Sequence, residues 1–187
     1  MIEQLENIDQ KLLLLINGVN SPFFDQLMWV ISDSFFGIPF YIVFYLIAFK
    51  FFGWKKALVI VLLGGVAVGL ADLSSKYLFK EVFLRYRPSH NFLLKDKIHL
   101  VNNYRGGMYG FVSSHSANMF AIAISLGAFF YKENKVLIYL MLIWAGIIAY
   151  SRMYLGVHYP SDVFVGGLLG GTIGFVVYKL SHKLVLR

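Results

Sequence analysis

The amino-acid sequence predicts an all-α membrane protein: a polytopic helix bundle with about five transmembrane spans and an N-terminal amphipathic helix at the membrane interface. Of its 187 residues, 58% are hydrophobic and only 14% are charged, whereas soluble domains are usually about 45–50% apolar and about 25% charged. The apolar residues are also concentrated in long runs, such as 57–70 and 136–149, which is typical of membrane spans. We expect one integral membrane domain over residues 1–187.

Composition and charge exclude several other classes of protein. The sequence contains no cysteine, so it offers neither disulfides nor thiolate metal sites. A net charge of +7 is compatible with nucleic-acid binding, but the basic residues flank apolar segments and form no patch on a soluble fold, so no nucleic-acid partner is expected. The first ten residues, MIEQLENIDQ, are acidic and lack the pattern of a cleaved signal peptide.

Residues 3–16 form the first predicted element, an amphipathic helix. Its apolar residues recur on one stripe, at Leu5, Ile8, Leu12 and Leu15, and its polar residues lie elsewhere, at Glu3, Glu6, Asp9 and Gln10. The apolar stripe is suited either to the membrane interface or to packing against the bundle. Asn17-Gly18 is expected to end this helix, and Asn20-Ser21-Pro22 to begin the next element.

Five apolar segments follow, with predicted bounds of 25–51, 54–79, 114–131, 136–150 and 161–180. Asp33 and Pro39 interrupt the first of them. Short connections near Gly53 and at 132–135 alternate with one long hydrophilic segment, 81–112, which is too polar to cross a bilayer. Asp72 and Lys76 are four residues apart in the second segment and are predicted to form an ion pair inside the bundle.

Successive spans run antiparallel, so the polar residues at their ends should meet at one membrane face. These residues are Lys80, His115, Arg152, His158 and Asp162. The opposite face carries a single acid, Glu133, among the basic residues Lys50, Lys55, Lys56, Lys132, Lys135, Lys179, Lys183 and Arg187. Short loops rich in lysine and arginine remain in the cytoplasm, so the candidate site is expected to face away from it.

His158 and Asp162 have the spacing of a nucleophile and the group that orients it. A carboxylate four residues away can hold one imidazole nitrogen and leave the other free to attack. Pro160 favours a helix start near Ser161, which would place His158 on the preceding turn. Arg152 adds a planar, permanent cation that matches phosphate oxygens. Taken singly, these residues also fit a structural His–Asp pair and an arginine that extends toward lipid headgroups.

Two further clusters repeat the chemistry of anion binding. Lys80, Arg85 and Arg87 follow the second span closely, which fits either a bound anion or contact with anionic headgroups. Ser113 and Ser114 stand at a predicted helix start, where free backbone amides can bind an anion. His115 follows them and could protonate a leaving oxygen, although an interfacial histidine bonded to a neighbour is an equal alternative. Asn118, one turn later, could support His115.

These three clusters resemble the motifs of the type 2 phosphatidic acid phosphatase superfamily. The family's K-x6-RP corresponds to Lys80 through Arg87-Pro88, and its SR-x5-H-x3-D corresponds to Ser151-Arg152 through Asp162. The middle motif departs from the family, because Val112 and Ser114 replace the proline and glycine of PSGH. Ser114 adds a side chain where glycine would allow close approach to phosphate, and its hydroxyl could supply a further hydrogen bond.

The resemblance implies a role for each matching residue and no metal or other cofactor. His158 would form a phosphohistidine, Asp162 would orient it, and His115 would protonate the leaving group. The phosphoryl oxygens would be held by Lys80, Arg87, Ser113, Ser114 and Arg152. No cluster of carboxylates and histidines in the sequence has evident metal-ligand spacing, so fixed cations are expected to meet the charge of the transferring group.

The resemblance therefore implies a lipid phosphate phosphatase in a bacterial cytoplasmic (inner) membrane, with its site facing the periplasm or outside. Candidate substrates are undecaprenyl diphosphate, which we favour at this stage, phosphatidylglycerol phosphate, phosphatidic acid and the phosphates of lipid A. A lipid phosphotransferase that uses the same histidine is the first alternative. An anion transporter is another, although the repeats and broken helices common in transporters are not evident. The expected partners are the lipid phosphate and membrane lipids, and the sequence leaves the oligomeric state open.

Overall fold

A computed structural model describes residues 2–186, and within this range the protein is helical, which confirms the predicted all-α class. Its longer helices are α1 (Ile2–Gly18), α2 (Pro22–Ser32), α3 (Ile38–Ser74), α4 (Ser114–Gly127), α5 (Lys135–Tyr154) and α6 (Pro160–Leu186). A π-helical turn, Ser75–Lys80, and a short turn, Glu81–Phe83, extend α3. Short 3-10 turns are at Ser34–Gly37, Pro88–His90, Val101–Asn103 and Ala128–Phe130. Arg187, one of the basic residues assigned to the cytoplasmic face, lies outside the described residues.

Helix α1 packs on the protein through the side opposite its apolar stripe. Asp9, Leu13 and Asn17, spaced four residues apart, are buried against the rest of the chain. The predicted stripe faces outward and remains largely exposed, at Leu5, Ile8, Leu12 and Leu15. Since the bundle does not cover this stripe, the membrane interface is the environment that suits it.

The first predicted segment, 25–51, is divided at Asp33, one of the two residues expected to interrupt it. Ser21 caps α2 by accepting the Phe24 amide at 3.4 Å, and α2 ends at Ser32. Asp33 then leaves the helical conformation, and its carboxylate accepts the Phe35 amide at 2.7 Å. Local capping by short polar side chains outweighs the apolar character of the segment here. Pro39 falls in the first turn of α3, where proline is tolerated, so it begins a helix and does not interrupt one.

Gly53 divides α3 into two legs. The sequence predicts a short connection near this residue. Its φ of 77° and ψ of 163° are non-helical and are readily adopted by glycine. Along the first leg, contacts with the α4 region move from Met119 to Phe130, and along the second leg they return from Leu126 to Ser114. The contacts that establish this order are Tyr41–Met119, Phe52–Phe130, Gly64–Leu126, Asp72–Asn118 and Ser75–Ser114. The two legs therefore run in opposite directions.

Three helical stretches are long and apolar enough to cross a membrane: Phe35–Phe83, Lys135–Tyr154 and Pro160–Val185. A shorter apolar stretch, Ser114–Phe130, lies between them. Divided at Gly53, these stretches give five apolar segments, of which the first begins at Phe35 and not at 25 as predicted. Five complete crossings stay a prediction.

Helix α4 lies at the centre of the bundle and approaches α6 closely. Gly166, Gly170 and Gly174 of α6 leave no room for a Cβ, because an added carbon would meet the α4 backbone at Ser113, Ala117 and Ala121. Small residues four apart are a common device for close helix packing in membranes. At the polar end of this contact, the Ser113 amide donates to the Asp162 carbonyl at 3.0 Å, and the Ser116 hydroxyl donates to the Val163 carbonyl at 2.7 Å. The second and third sequence motifs are thereby joined.

Candidate active site

His158 and Asp162 meet at the turn between α5 and α6. Helix α6 begins at Pro160, so His158 lies on the preceding turn, one of the two arrangements that the sequence allows. His158 Nδ1 lies 3.4 Å from Asp162 Oδ2, which also accepts the Tyr159 amide at 3.0 Å. His158 is 1% exposed and Asp162 is fully buried. The carboxylate therefore faces Nδ1, and Nε2 points away from it.

Arg87 occupies the other face of the imidazole. Its Nη1 lies 2.9 Å from His158 Nε2 and 3.2 Å from the Val157 carbonyl, and its Nε donates to the Tyr109 carbonyl at 3.2 Å. A guanidinium can only donate, so Nε2 accepts and the imidazole proton resides on Nδ1, toward Asp162. Burial, followed by the charges of Arg87, Arg152, Lys80 and His115, holds the pKa of His158 well below its usual range. The ring is therefore neutral at neutral pH.

Arg87 keeps its own charge in this setting. Burial and the nearby Arg152 lower the pKa of Arg87 to about 10, which leaves it protonated at neutral pH. Gly106 and Gly110 allow its side chain to pass, since an added Cβ at either would lie about 3 Å from an Arg87 atom. The site thus pairs a neutral imidazole nitrogen with a cation at hydrogen-bond distance.

Lys80 reaches the site through Ser114, one of the two residues that depart from the family's middle motif. Its Nζ donates to Ser114 Oγ at 2.5 Å, and Ser114 Oγ lies 2.6 Å from Ser75 Oγ. The π-helical turn Ser75–Lys80 carries both Ser75 and Lys80. Ser114 therefore ties the end of α3 to the start of α4, a contact that glycine in this position could not make.

Ser113 is present at the site but is engaged as a helix cap. It is fully buried, and its Oγ accepts the Ser116 amide at 3.4 Å. Its hydroxyl hydrogen remains available as a donor, so phosphate binding by Ser113 stays a prediction.

Arg152 and His115 line a cavity of about 280 Å³ beside the cationic cluster, together with Trp29, Ser32, Asp33, Tyr104 and Leu155. The Arg152 guanidinium donates to the Ser32 hydroxyl, and its Nη2 lies 3.5 Å from the Tyr104 hydroxyl. Its Nε is buried and has no hydrogen-bond partner among the described residues. A buried cation with unused donors beside a cavity is suited to an anionic ligand.

The predicted ion pair between Asp72 and Lys76 is wrong. Asp72 accepts from Asn118 Nδ2 at 3.4 Å, and Lys76 Nζ lies 3.3 Å from the Tyr77 hydroxyl. The π-helical turn begins at Ser75, between the two residues, and changes the register that an i, i+4 pair requires. Asn118 thus contacts Asp72, and its support of His115 stays a prediction.

Across residues 2–186, no three histidine, aspartate or glutamate side chains form a group that could hold one metal ion. That the reaction needs no metal stays a prediction. Within residues 2–186, the positive charges close to the site are those of arginine and lysine side chains.

The sequence pattern of the PAP2 superfamily matches residues 53–186. The chain belongs to the PAP2 superfamily. The lipid A 4'-phosphatase of Bacteroides thetaiotaomicron is 38% identical over 188 residues, covering 100% of this chain and 83% of that protein. The lipid A 4'-phosphatase of Porphyromonas gingivalis is 34% identical over 181 residues, covering 96% of this chain and 75% of that protein. The predicted class of lipid phosphate phosphatase is confirmed at the level of the superfamily and these named relatives.

A solved structure of a superfamily member has the same fold. The transmembrane PAP2-type phosphatidylglycerolphosphate phosphatase of Bacillus subtilis superposes with a TM-score of 0.72 at 24% identity, covering 96% of this chain and 87% of that one. With the apolar helices described above, this likeness identifies a multi-pass membrane protein.

Sequence reasoning missed part of the polar network around Asp162. Arg85 was recognised only as one member of a basic cluster, yet its Nη1 donates to Asp162 Oδ1 at 2.8 Å. Asp9, Ser32 and Tyr104 were not assigned to the site at all. None of them belongs to a spaced motif, and only folding brings them close to the residues of the three motifs.

Proposed function

We propose that this protein hydrolyses a lipid phosphate through a phosphohistidine intermediate, with the 4'-phosphate of lipid A as its substrate. The observation that carries this proposal is the neutral His158 ring, held by Asp162 on Nδ1 and facing cations at Nε2. A neutral imidazole keeps the electron pair that attacks phosphorus. Arg87, Arg152 and Lys80 supply fixed positive charge for the phosphoryl oxygens.

The reaction runs in two displacements. His158 Nε2 attacks phosphorus, an N–P bond forms, and the bond from phosphorus to the lipid oxygen breaks. His115, protonated when the doubly charged phosphate group is bound beside it, gives a proton to that oxygen, and the lipid alcohol leaves. Water then attacks the phosphohistidine, one of its protons passes to His115 and the other stays on the phosphate, and breakage of the N–P bond releases inorganic phosphate. In each step the attacking group, His158 or water, is neutral. The negative charge of the phosphoryl oxygens is stabilised by cationic side chains of the protein.

Arg87 changes partners during the first step. In the resting site its Nη1 occupies the lone pair of His158 Nε2 at 2.9 Å. An incoming phosphoryl group offers the guanidinium stronger, charged acceptors. Arg87 turns toward these oxygens, and Nε2 becomes free to attack. Ser113 and Ser114 complete the anion site at the start of α4.

Similarity to two lipid A 4'-phosphatases over 96–100% of this chain favours lipid A over undecaprenyl diphosphate, the substrate favoured from the sequence alone. Phosphatidylglycerol phosphate and phosphatidic acid remain in the panel of candidates. The phosphotransferase alternative uses the same His158 intermediate and differs only in the acceptor, an alcohol in place of water.

We place the site on the outer side of the bacterial cytoplasmic membrane. The loops at the far end of the bundle carry Lys50, Lys55, Lys56, Lys132 and Lys135 with the single acid Glu133. Positively charged short loops stay in the cytoplasm. Lipid phosphates in the outer leaflet then reach the site at headgroup depth.

The test is phosphate release by purified protein in detergent, with a chelator present, from lipid A, undecaprenyl diphosphate, phosphatidylglycerol phosphate and phosphatidic acid. We expect the highest kcat/KM for lipid A, with mass spectrometry placing the loss at the 4' position. His158→Ala should release nothing, and His182→Ala, a histidine in the C-terminal part of α6, should match the wild type.

Release by His158→Ala equal to wild type would refute the nucleophile. A higher kcat/KM for undecaprenyl diphosphate would overturn the substrate and leave the reaction class intact. Transfer of labelled phosphate to an added lipid alcohol in preference to water would favour the phosphotransferase.

A further inference from the structure

Asp9 of α1 is a buried carboxylate for which the mechanism above has no use. It is 6% exposed, although the apolar stripe of the same helix faces outward. Its Oδ1 accepts the Ser161 amide at 2.9 Å, and its Oδ2 accepts the Ser161 hydroxyl and, at 2.7 Å, Arg85 Nη2. A carboxylate is seldom buried unless it is paired and hydrogen-bonded. Asp9 satisfies this condition entirely with residues that surround Asp162.

Arg85 joins Asp9 to the His158–Asp162 pair. Its Nη2 donates to Asp9 Oδ2 and its Nη1 donates to Asp162 Oδ1 at 2.8 Å. A planar guanidinium fixes the relative positions of two carboxylates that bind its different nitrogens. Burial alone would lower the pKa of Arg85, but the charges of Asp162 and Asp9 outweigh it and raise this pKa. The three residues form an alternating chain of charge, negative, positive and negative.

The Asp9–Arg85–Asp162 contacts determine how the Asp162 carboxylate is rotated. Oδ1 is held by Arg85, and this leaves Oδ2 for the Tyr159 amide and His158 Nδ1. Without Arg85, the carboxylate would lose the contact that keeps Oδ2 turned toward the imidazole. The orientation of the imidazole decides which nitrogen carries the proton and which one can attack.

The helix that carries Asp9 is itself firmly attached. Leu13 is fully buried against Leu94, Ile98 and Tyr159. Asn17 donates to the carbonyls of His99 and Tyr154 at 2.9 and 2.7 Å and accepts the His99 amide at 2.8 Å. Asp9 is therefore presented by a rigid element, which is what the support of a reacting group requires.

We propose that Asp9 and Arg85 are positioning residues for the His158–Asp162 pair, so that the N-terminal helix is a functional part of the active site. This inference rests on the proposed function, in which His158 is the nucleophile. Asp9 and Arg85 touch no reacting atom. They act through Asp162, by holding its carboxylate in the rotation that keeps the His158 proton on Nδ1.

The first test measures kcat and KM of Asp9→Asn, Asp9→Glu and Arg85→Gln with lipid A and with p-nitrophenyl phosphate. Asparagine retains an acceptor for the Ser161 amide but removes the charge that binds Arg85. We expect Asp9→Asn and Arg85→Gln to lower kcat by about 10- to 100-fold, with KM changed by less than about twofold. Asp9→Glu should recover part of the loss. Glu6→Gln is the matched control, because Glu6 is exposed one turn earlier on α1.

The second test follows the His158 ring by 15N NMR of histidine-labelled protein, with His158→Ala to assign the signal. The wild type and Glu6→Gln should show a proton on Nδ1, whereas Asp9→Asn and Arg85→Gln should show a mixture of tautomers. This measurement does not depend on the identity of the substrate. If the wild type hydrolysed none of the lipids, the proposed function would fail, and the tautomer would still decide the role of Asp9.

Two outcomes overturn the inference. In one, Asp9→Asn and Arg85→Gln keep the kcat of Glu6→Gln or leave the His158 tautomer unchanged. In the other, these variants lower only the yield of folded protein, and the folded fraction turns over normally, so that the contact is structural.

Discussion

Gly110 offers a way to displace the reacting groups without altering any of them. This glycine is buried behind the site, and its amide donates to the Arg85 carbonyl at 2.9 Å. An added Cβ would lie 3.0 Å from Arg87 Cγ, 3.1 Å from Asp162 Oδ2 and 3.5 Å from His158 Nδ1. Gly110→Ala therefore presses on the Arg87 side chain and on the Asp162 carboxylate at once.

The size of the effect follows from these distances. Nonbonded contacts of carbon are optimal at about 3.5–4.0 Å, so the two nearest atoms must withdraw by about 0.3–0.5 Å. If a displacement of about 1 Å lowers the rate about 100-fold, a proportional loss here is about 4- to 10-fold in kcat. This corresponds to about 0.8–1.4 kcal/mol in the activation barrier.

The assay is steady-state phosphate release by the folded fraction of Gly110→Ala, recovered by size exclusion. Gly107→Ala is the matched control, because Gly107 lies in the same loop and an added Cβ there meets nothing within 4 Å. We expect Gly107→Ala to keep the wild-type kcat. If the two variants turned over within about twofold of each other, the site would not depend on the packing distances given above, and the reasoning would fail.

Three further predictions concern the charge, the hydrogen bonding and the protonation of individual side chains. Asp162→Asn should lower kcat by about 10³- to 10⁴-fold, because the shape stays but the orienting charge is lost; a loss below about tenfold in phosphate release would contradict this role. Ser114→Gly should raise KM by up to about tenfold, because Lys80 loses its partner at 2.5 Å, and an unchanged KM would remove Ser114 from phosphate binding. Because its pKa is lowered, His158 should stay unprotonated as the pH falls from about 8 to about 6; a midpoint near 6.5 in its 15N NMR titration, the usual value, would refute this.

The helices were predictable where apolar runs are long and their ends carry clear signals. The predicted segments 114–131, 136–150 and 161–180 correspond to α4 with its following turn, α5 and α6, and differ from them mainly at the ends. The break within 25–51 was predictable at Asp33, and its local cause is the hydrogen bond by which Asp33 caps the next turn through the Phe35 amide. The role of Pro39 was not predicted, because it lies in the first turn of α3, where proline is tolerated.

The motif residues were predictable because spans of similar length return the chain to one face. Lys80 accordingly donates to Ser114, Arg87 lies against His158, and Arg152 is close to Arg87. Asp9 could not be found in this way. It lies on an interfacial helix, and no periodicity specifies where that helix docks on the bundle. In the sequence, Asp9 is one of several acids on the polar part of this helix. Only its contact with Arg85 in the folded protein distinguishes it from the others.

The site also depends on how closely α4 and α6 pack at positions further along the bundle, away from the end that carries the site. The Ser113 amide binds the Asp162 carbonyl only because α4 and α6 lie within backbone contact, and this distance is set by Gly166 and Gly170 deeper along α6. A larger residue at Gly170 would meet the Ala117 carbonyl and force the helices apart. Such a separation would move Asp162, and with it His158, away from the cations carried by Lys80 and Arg87. The short motifs thus define the groups that we propose react, and the small residues of α6 set the distances between them.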